Sequence, residues 1–257
     1  MNPAVLAEKV RAAAVEVLAD RGLDSTVLPE SVDLRRPNDP AHGDFATALP
    51  LRIGSRIGVR PHDFARWLAA ALARGDGIDA AEAAGPGFVN LRLTAAAMTG
   101  VVADIEARGA RYGARPAVAG AWQEVDPDLR ERRIRANPVF NVQYAHARAC
   151  AVVHNSVEFG MDPARADLGL VTHEREGAVI RALREFEVLA ADQVARYLER
   201  LADALHGWYD TPECRILPQG DEEVAAVHLA RLRLSRAVRQ VLANGLETVG
   251  VSAPERM

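Results

Sequence analysis

The sequence predicts an α+β domain in the N-terminal part of the chain, followed by an all-α helical domain. Strand-like alternation occurs in GPGFVNLRL at 85–93, whereas apolar residues at helical spacing dominate the segments before it. From residue 137 onward every periodic segment has helical spacing. Between 106 and 136 the periodicity is lost, and Gly, Pro and scattered charges replace it. We therefore expect domains at 1–105 and 137–257, joined by a linker at 106–136.

The first domain begins with a predicted helix over 2–21. Asn2 is suited to cap this helix, Pro3 to occupy its first turn, and Gly22 to end it. A further helix is predicted over 61–75, because a proline stands at its start and a glycine at its end.

Two segments between these helices have weaker signals. SVDLRRP at 31–37 predicts a short strand, and HGDFATALPLRIGSRIG at 42–58 predicts a helix from Asp44 that Pro50 shortens or kinks. His42 is interpreted as a helix-capping group rather than a catalytic base, since no Ser or Cys nucleophile motif accompanies it.

The strand at 85–93 carries the most informative side chains of this domain. Alternation places apolar residues on one face, namely Val89, Leu91 and Leu93. Phe88, Asn90 and Arg92 fall on the other face, where they could stack on a base, hydrogen-bond its edge and contact a phosphate. A solvated strand face with an ordinary polar mixture is the alternative interpretation.

The second domain consists of predicted helices. Asn137-Pro138 is a cap followed by a first-turn proline, Thr172 is suited to cap the next helix, and a further helical pattern covers 191–207. A loop at 209–220 precedes a long helix over 220–246, with acidic residues at its start.

The long helix has two distinct faces. Apolar residues share one face, namely Val227, Leu234, Val238 and Val241. Arg233, Arg236 and Gln240 lie on the opposite face, which is either a solvated surface or a phosphate-facing one.

Composition excludes several function classes. The net charge of −4 gives no global attraction for nucleic acid, so binding would require a local patch. Lys9 is the only lysine, which excludes a GxxxxGK[ST] phosphate loop, and no GxGxxG or HExxH sequence occurs. Cys150 and Cys214 form no CxxC pair, so no zinc site is expected. With no signal peptide and no long apolar run, we expect a cytoplasmic protein without membrane attachment, cofactor, metal or catalytic residue.

Four segments together resemble the arginyl-tRNA synthetase family. HGDFAT at 42–47 and GPGFVNLRL at 85–93 are similar to the family's N-terminal additional domain. NPVFNVQYAHAR at 137–148 and SRAVRQVLANGLETVGVSAPERM at 235–257 are similar to its DALR-type helical anticodon-binding domain. The resemblance implies a small antiparallel sheet with helices in the first domain and a helical bundle in the second.

The same resemblance implies that a large part of the family's architecture is missing. In the family, a class I nucleotide-binding domain with HIGH-type and KMSKS-type sequences lies between the two domains. Here the linker at 106–136 stands in its place, and no lysine beyond position 9 could serve a KMSKS-type loop. We therefore expect RNA-binding parts without the catalytic part.

The resemblance assigns roles to particular residues. Phe88 and Asn90 match positions that read a base of the tRNA D-loop, and Arg92 extends that face. The anticodon-side candidates lie on the first and last helices of the second domain and in the tail, namely Tyr144, Arg148, Arg233, Arg236, Arg239 and Met257. The tail VSAPERM is expected to be docked beside that surface.

The sequence departs from the family pattern at three positions and leaves alternatives open. Ala48 and Pro50 replace the usual Asn and Ala after HGDFAT, and Asn141 replaces an aromatic residue. The first hypothesis is a stand-alone tRNA-binding protein, with tRNA-Arg as a candidate, that cannot aminoacylate. The second is a protein-interaction or regulatory module, with an unidentified partner, that kept the fold and lost RNA binding. An active ligase is the third.

Overall fold

The computed structural model describes residues 1, 3–37, 39–118 and 120–257, which form two compact units, Met1–Met98 and Thr99–Met257. The predicted fold classes, α+β and then all-α, are confirmed. Asn2, which was predicted to cap the first helix, lies outside the described residues. In the part of the chain that the structure describes, no helix is both long and apolar enough to cross a membrane.

The first unit contains an antiparallel sheet whose described strands are ordered β1-β3-β2. Its elements are α1 (Pro3–Ala19), β1 (Phe45–Thr47), α2 (Leu49–Ile53), α3 (Pro61–Leu72), β2 (Ile78–Ala84), β3 (Phe88–Leu93) and the start of α4 (Ala95–Arg108). Leu6 and Val10 of α1, Phe64 and Leu68 of α3, and Leu91 of β3 are buried in one core. The helices therefore pack against one face of the sheet, and β3 residues on the other face are more exposed.

The prediction that a helix begins at Asp44 is wrong. Phe45–Thr47 is strand β1, which pairs with β3, and α2 begins only at Leu49. Pro50 lies in the first turn of α2, where its missing N–H costs no hydrogen bond. The strand predicted at 31–37 is reduced to a single bridge between Arg35 and Ala46.

Strand β2 was not predicted. Its sequence, IDAAEAA, is rich in alanine, which has a low intrinsic preference for strands. Pairing along β3 stabilises it in the sheet, with Ala84 opposite Phe88 and Glu82 opposite Asn90. Tertiary pairing has overridden local propensity here.

The second unit is built from helices that pack around one another. They are the remainder of α4, α5 (Pro127–Glu131), α6 (Pro138–Asn155), α7 (Glu174–Glu185), α8 (Val194–Tyr209) and α9 (Ala226–Thr248). Helices α6, α8 and α9 contact one another, and α7 packs against α8 and α9. Val142, Leu201, Trp208, Val238 and Leu242 are among the fully buried side chains.

The starts of α6, α7 and α9 show how well the sequence predicted helix boundaries in this unit. Asn137 Oδ1 accepts hydrogen bonds from the backbone N–H groups of the second and third residues of α6, which confirms the predicted cap. His173, rather than Thr172, caps α7, because its Nδ1 accepts from Arg175 N–H. Helix α9 begins at Ala226 instead of 220, so the acidic residues at 221–223 precede it.

Residues 106–136, expected as a linker, are bonded to the helical unit. The Asn244 side-chain amide on α9 donates to the carbonyls of Gly109 and Tyr112, at 3.0 and 2.9 Å. Val118 N–H donates to the carbonyl of Thr248 at 2.7 Å, and Trp122 Nε1 donates to Glu199 at 2.6 Å. The segment is therefore part of this unit's structure.

Candidate nucleic-acid interface

The outer face of the sheet carries the side chains predicted from alternation. Val89, Leu91 and Leu93 are buried, whereas Phe88 and Arg92 are exposed and Asn90 is half-buried. Phe88 exposes 37% of its surface, which leaves its ring accessible for stacking. The structure thus brings Phe88, Asn90 and Arg92 onto one face, as the alternation predicts.

The HGD segment at residues 42–44 lies along one edge of this face. Gly43 has φ +95°, and a Cβ at this position would lie 2.6 Å from the Leu91 carbonyl oxygen, so glycine permits the close approach. Asp44 Oδ2 accepts from Leu93 N–H at 2.9 Å, and Arg92 Nη2 donates to the Ala41 carbonyl at 3.2 Å. The segment therefore forms hydrogen bonds with strand β3, whereas the sequence predicted that His42 caps a helix.

On α6, the predicted residues Tyr144 and Arg148 lie in an aromatic stack. Tyr144 is stacked between Phe140, at a ring separation of 5.8 Å, and His206, at 5.5 Å. The Arg148 guanidinium lies 4.1 Å from the Tyr209 ring centre and donates to Asp210 Oδ1 at 3.0 Å. Arg148 is therefore already paired with protein groups.

His206 is buried at the centre of this cluster. Burial, followed by the charges of Arg135 and Arg148, lowers the pKa of His206 to about 4. The imidazole is consequently neutral near pH 7, and its Nδ1 accepts from Arg148 Nη1 at 3.1 Å. A neutral His206 helps to hold the guanidinium against the aromatic rings.

The arginines of α9 differ in their contacts. Arg233 donates to Glu106 through Nε and Nη2, and its Nη1 donates to the Ala166 carbonyl at 2.9 Å. In contrast, Arg236 is exposed and Arg239 is half-buried, and neither side chain forms a hydrogen bond or ion pair with a described residue. Arg233 thus has an intramolecular role, and its assignment to RNA contact stays a prediction.

Arg239 and Gln240 lie between two clefts of the second unit. One cleft, of about 360 Å³, is also lined by Ala164 and Arg236. The other, of about 260 Å³, is lined by residues from α6, α9 and the tail, namely His146, Cys150, Ala243, Ala253 and Glu255. Arg236 and Arg239, which have no hydrogen-bond or ion-pair partner among the described residues, therefore line a surface beside the tail.

The tail is docked on α6, as the resemblance implied. The Gln143 side-chain amide donates to the Ser252 carbonyl at 2.9 Å, and His146 Nδ1 donates to the Pro254 carbonyl at 2.9 Å. Burial lowers the pKa of His146, and the charge of Arg239 acts in the same direction. Met257 is 52% exposed, so its side chain is accessible to a ligand.

Comparisons with known proteins match both units. Residues 4–93 match the model of the arginyl-tRNA synthetase N-terminal domain, and residues 142–257 match that of the DALR anticodon-binding domain. The chain thus carries an arginyl-tRNA synthetase-related N-terminal domain and a DALR-type anticodon-binding domain. An arginine–tRNA ligase of Clavibacter sepedonicus is 49% identical over 149 residues, covering 54% of this chain and 26% of that protein. The aligned part thus spans about a quarter of the length of this relative.

Several residues of the surfaces described above were not predicted from the sequence. Glu82 was missed because β2 was not predicted, although it lies opposite Asn90. His206 and Asp210 join Arg148 only through the packing of α8 against α6. Asn141, which departs from the family pattern, is buried and donates to Asp203 at 3.0 Å. No short motif would have indicated these contacts.

Proposed function

We propose that this chain is a tRNA-binding protein of the arginyl-tRNA synthetase family that does not aminoacylate. One observation carries the proposal: only residues 94–141 lie between the two matched domains. Domains usually comprise about 50–250 residues, so this segment falls below the usual size of a further domain. Much of this segment is also bonded to the helical unit.

The surfaces described above support the RNA-binding half of the proposal. Phe88 offers an exposed ring and Arg92 a cation on the sheet face. Arg236 and Arg239 on α9 offer guanidinium groups that have no hydrogen-bond or ion-pair partner among the residues that the structure describes. Aromatic stacking and phosphate neutralisation are the main sources of affinity for unpaired RNA. The Clavibacter relative is an arginine–tRNA ligase, which makes tRNA-Arg the first candidate ligand.

A second candidate function is a protein-interaction module that kept the fold and lost RNA binding. It is favoured by the engagement of Arg148 and Arg233 in intramolecular ion pairs and by the net charge of −4. Both features reduce the cationic charge available to phosphates.

Titration of labelled tRNA-Arg and of an unrelated tRNA at two salt concentrations distinguishes these functions. The proposal expects binding at low salt that weakens as salt rises, because counterions are released from the RNA. Absence of binding to either tRNA at low salt, with protein at tens of micromolar, would replace it with the interaction-module function.

A further inference from the structure

A cleft of about 470 Å³ in the helical unit lies where residues 118–125 pack against the start of α8. Its apolar lining comes from several segments, namely Val118, Trp122, Val125, Pro138, Ala195 and Val249. Among the described residues, its charged lining comprises three carboxylates and one guanidinium, from Glu124, Asp192, Glu199 and Arg196. A cleft of this size with an aromatic wall and a few polar groups is typical of a ligand-binding site.

Trp122 forms a wall of this cleft and is held in place by the protein. Its indole N–H donates to Glu199 Oε1 at 2.6 Å, and the Arg130 guanidinium donates to its backbone carbonyl. Its backbone has a φ of +60°, a left-handed conformation that residues other than glycine rarely adopt. Because these hydrogen bonds hold Trp122 in that conformation, its ring is positioned before any ligand binds.

The start of α8 presents three charged side chains to the cleft. Asp192, Arg196 and Glu199 have the spacing i, i+4 and i+7, which places them on one side of the helix. At a rise of 1.5 Å per residue, the two acidic residues lie about 10 Å apart along the helix. Asp192 and Arg196 are exposed, and neither side chain forms a hydrogen bond or ion pair with a described residue. A row of negative, positive and negative charge is therefore available to a ligand.

These charges indicate what kind of ligand fits the cleft. Three carboxylates against one guanidinium repel the phosphates of RNA, so a ligand with excess positive charge is favoured. In a peptide with polyproline II conformation, side chains three positions apart lie on one side, about 9 Å from each other. Two basic residues at that spacing match Asp192 and Glu199, and an acidic residue between them matches Arg196. The stem of a basic side chain can pack on Trp122, with its cation over the ring.

We propose that this cleft is the docking site for a partner protein, through an extended segment in which two basic residues three positions apart flank an acidic one. This interaction goes beyond the proposed RNA binding and does not depend on it. Trp122 supplies the aromatic centre that protein interfaces favour, and the charges at the start of α8 set the order of basic and acidic residues in the partner.

A peptide selection on full-length protein tests the proposal. Random heptapeptides displayed on phage are selected on wild type, Glu199→Gln and Glu158→Gln. The Gln oxygen in Glu199→Gln can still accept from the Trp122 indole, so only the charge is lost. Glu158 is exposed and does not line the cleft, so its variant is the matched control.

Wild type and Glu158→Gln are expected to enrich peptides in which two basic residues three positions apart flank an acidic one. The enriched peptide, labelled with a fluorophore, should bind Glu199→Gln about tenfold more weakly in an anisotropy titration, because a charged hydrogen bond is lost. Selection on Arg196→Glu should replace the acidic residue of the peptide by a basic one. Such a change of sequence preference is not produced by a purely structural role of Arg196.

Other outcomes overturn the proposal. No enriched peptide on wild type, or equal binding of the enriched peptide by wild type and Glu199→Gln, rejects the cleft as a peptide site. A wild-type dimer in sedimentation velocity that Glu199→Gln dissociates assigns the cleft to a second copy of this chain. Displacement of labelled tRNA by the peptide assigns it to the RNA surface. Failure of wild type to bind tRNA rejects only the proposed RNA binding, since the peptide selection contains no RNA.

Discussion

Arg233 on α9 and Glu106 on α4 form a two-pronged ion pair, with distances of 2.7 Å from Nη2 to Oε2 and 2.9 Å from Nε to Oε1. One turn further along α9, Arg236 is exposed and has no described partner. Two arginines that a helical pattern places on one face thus have different contacts, and their substitution is expected to have different effects.

Arg233→Ala is expected to lower the free energy of unfolding of the helical unit by about 1–2 kcal/mol, because the ion pair and the bond to the Ala166 carbonyl are lost. Urea denaturation followed by circular dichroism measures the change. Arg236→Ala is the matched control and should remain within about 0.5 kcal/mol of wild type. Equal destabilisation by both variants would contradict this difference.

Arg236→Ala is expected to weaken binding of all tRNAs alike and to reduce the salt dependence, the slope of log K against log salt, by about one. The reason is that a phosphate contact carries no sequence information. Arg200→Ala, which removes an exposed guanidinium from α8, controls for the change in net charge. An unchanged slope for Arg236→Ala would remove this residue from the interface.

Phe88→Ala is expected to weaken tRNA binding roughly 5- to 150-fold, since base stacking on an aromatic ring contributes about 1–3 kcal/mol. The ring is 37% exposed and lies outside the core, so folding should be preserved. Phe88→Tyr keeps the ring and should bind within about twofold of wild type. Wild-type affinity for Phe88→Ala would show that no base stacks there.

Stability of the helical unit is expected to fall as pH decreases from 6.5 to 4. The pKa of His206 is lowered to about 4 in the folded protein, so the unfolded chain binds more protons across this interval. His206 accounts for a loss on the order of 3 kcal/mol, and lowered pKa values of His146 and His228 act in the same direction. The urea midpoint should depend less on pH in His206→Asn, whose amide oxygen can replace Nδ1 as a hydrogen-bond acceptor. A slope that persists unchanged in this variant would argue against His206.

ATP–pyrophosphate exchange with arginine is expected to stay at background, with or without tRNA. The physical reason is that residues 94–141 are too few to form a nucleotide-binding domain between the matched domains. A full-length arginine–tRNA ligase provides the positive control. Exchange clearly above a reaction without enzyme would reject the non-catalytic proposal.

Signals that are local in the sequence predicted local structure well. The Asn137 cap followed by Pro138 marks the start of α6, because side-chain capping and a first-turn proline act within three residues. Alternation in β3 correctly divides buried from exposed residues, because side chains alternate along any strand. The predicted faces of α9 were less informative. Periodicity predicts the side of the helix on which Arg233 lies, but it does not reveal that Arg233 forms an ion pair with Glu106.

The sequence by itself therefore determined the two fold classes, the face of β3 that carries Phe88, Asn90 and Arg92, and the family resemblance. Only the tertiary structure decided that alanine-rich β2 is a strand, which places Glu82 opposite Asn90. It likewise decided that His146 and Gln143 hold the tail, more than a hundred residues away in the chain. The physical reason is that periodicity and capping depend on neighbouring residues, whereas register and docking depend on contacts between segments that are distant in sequence.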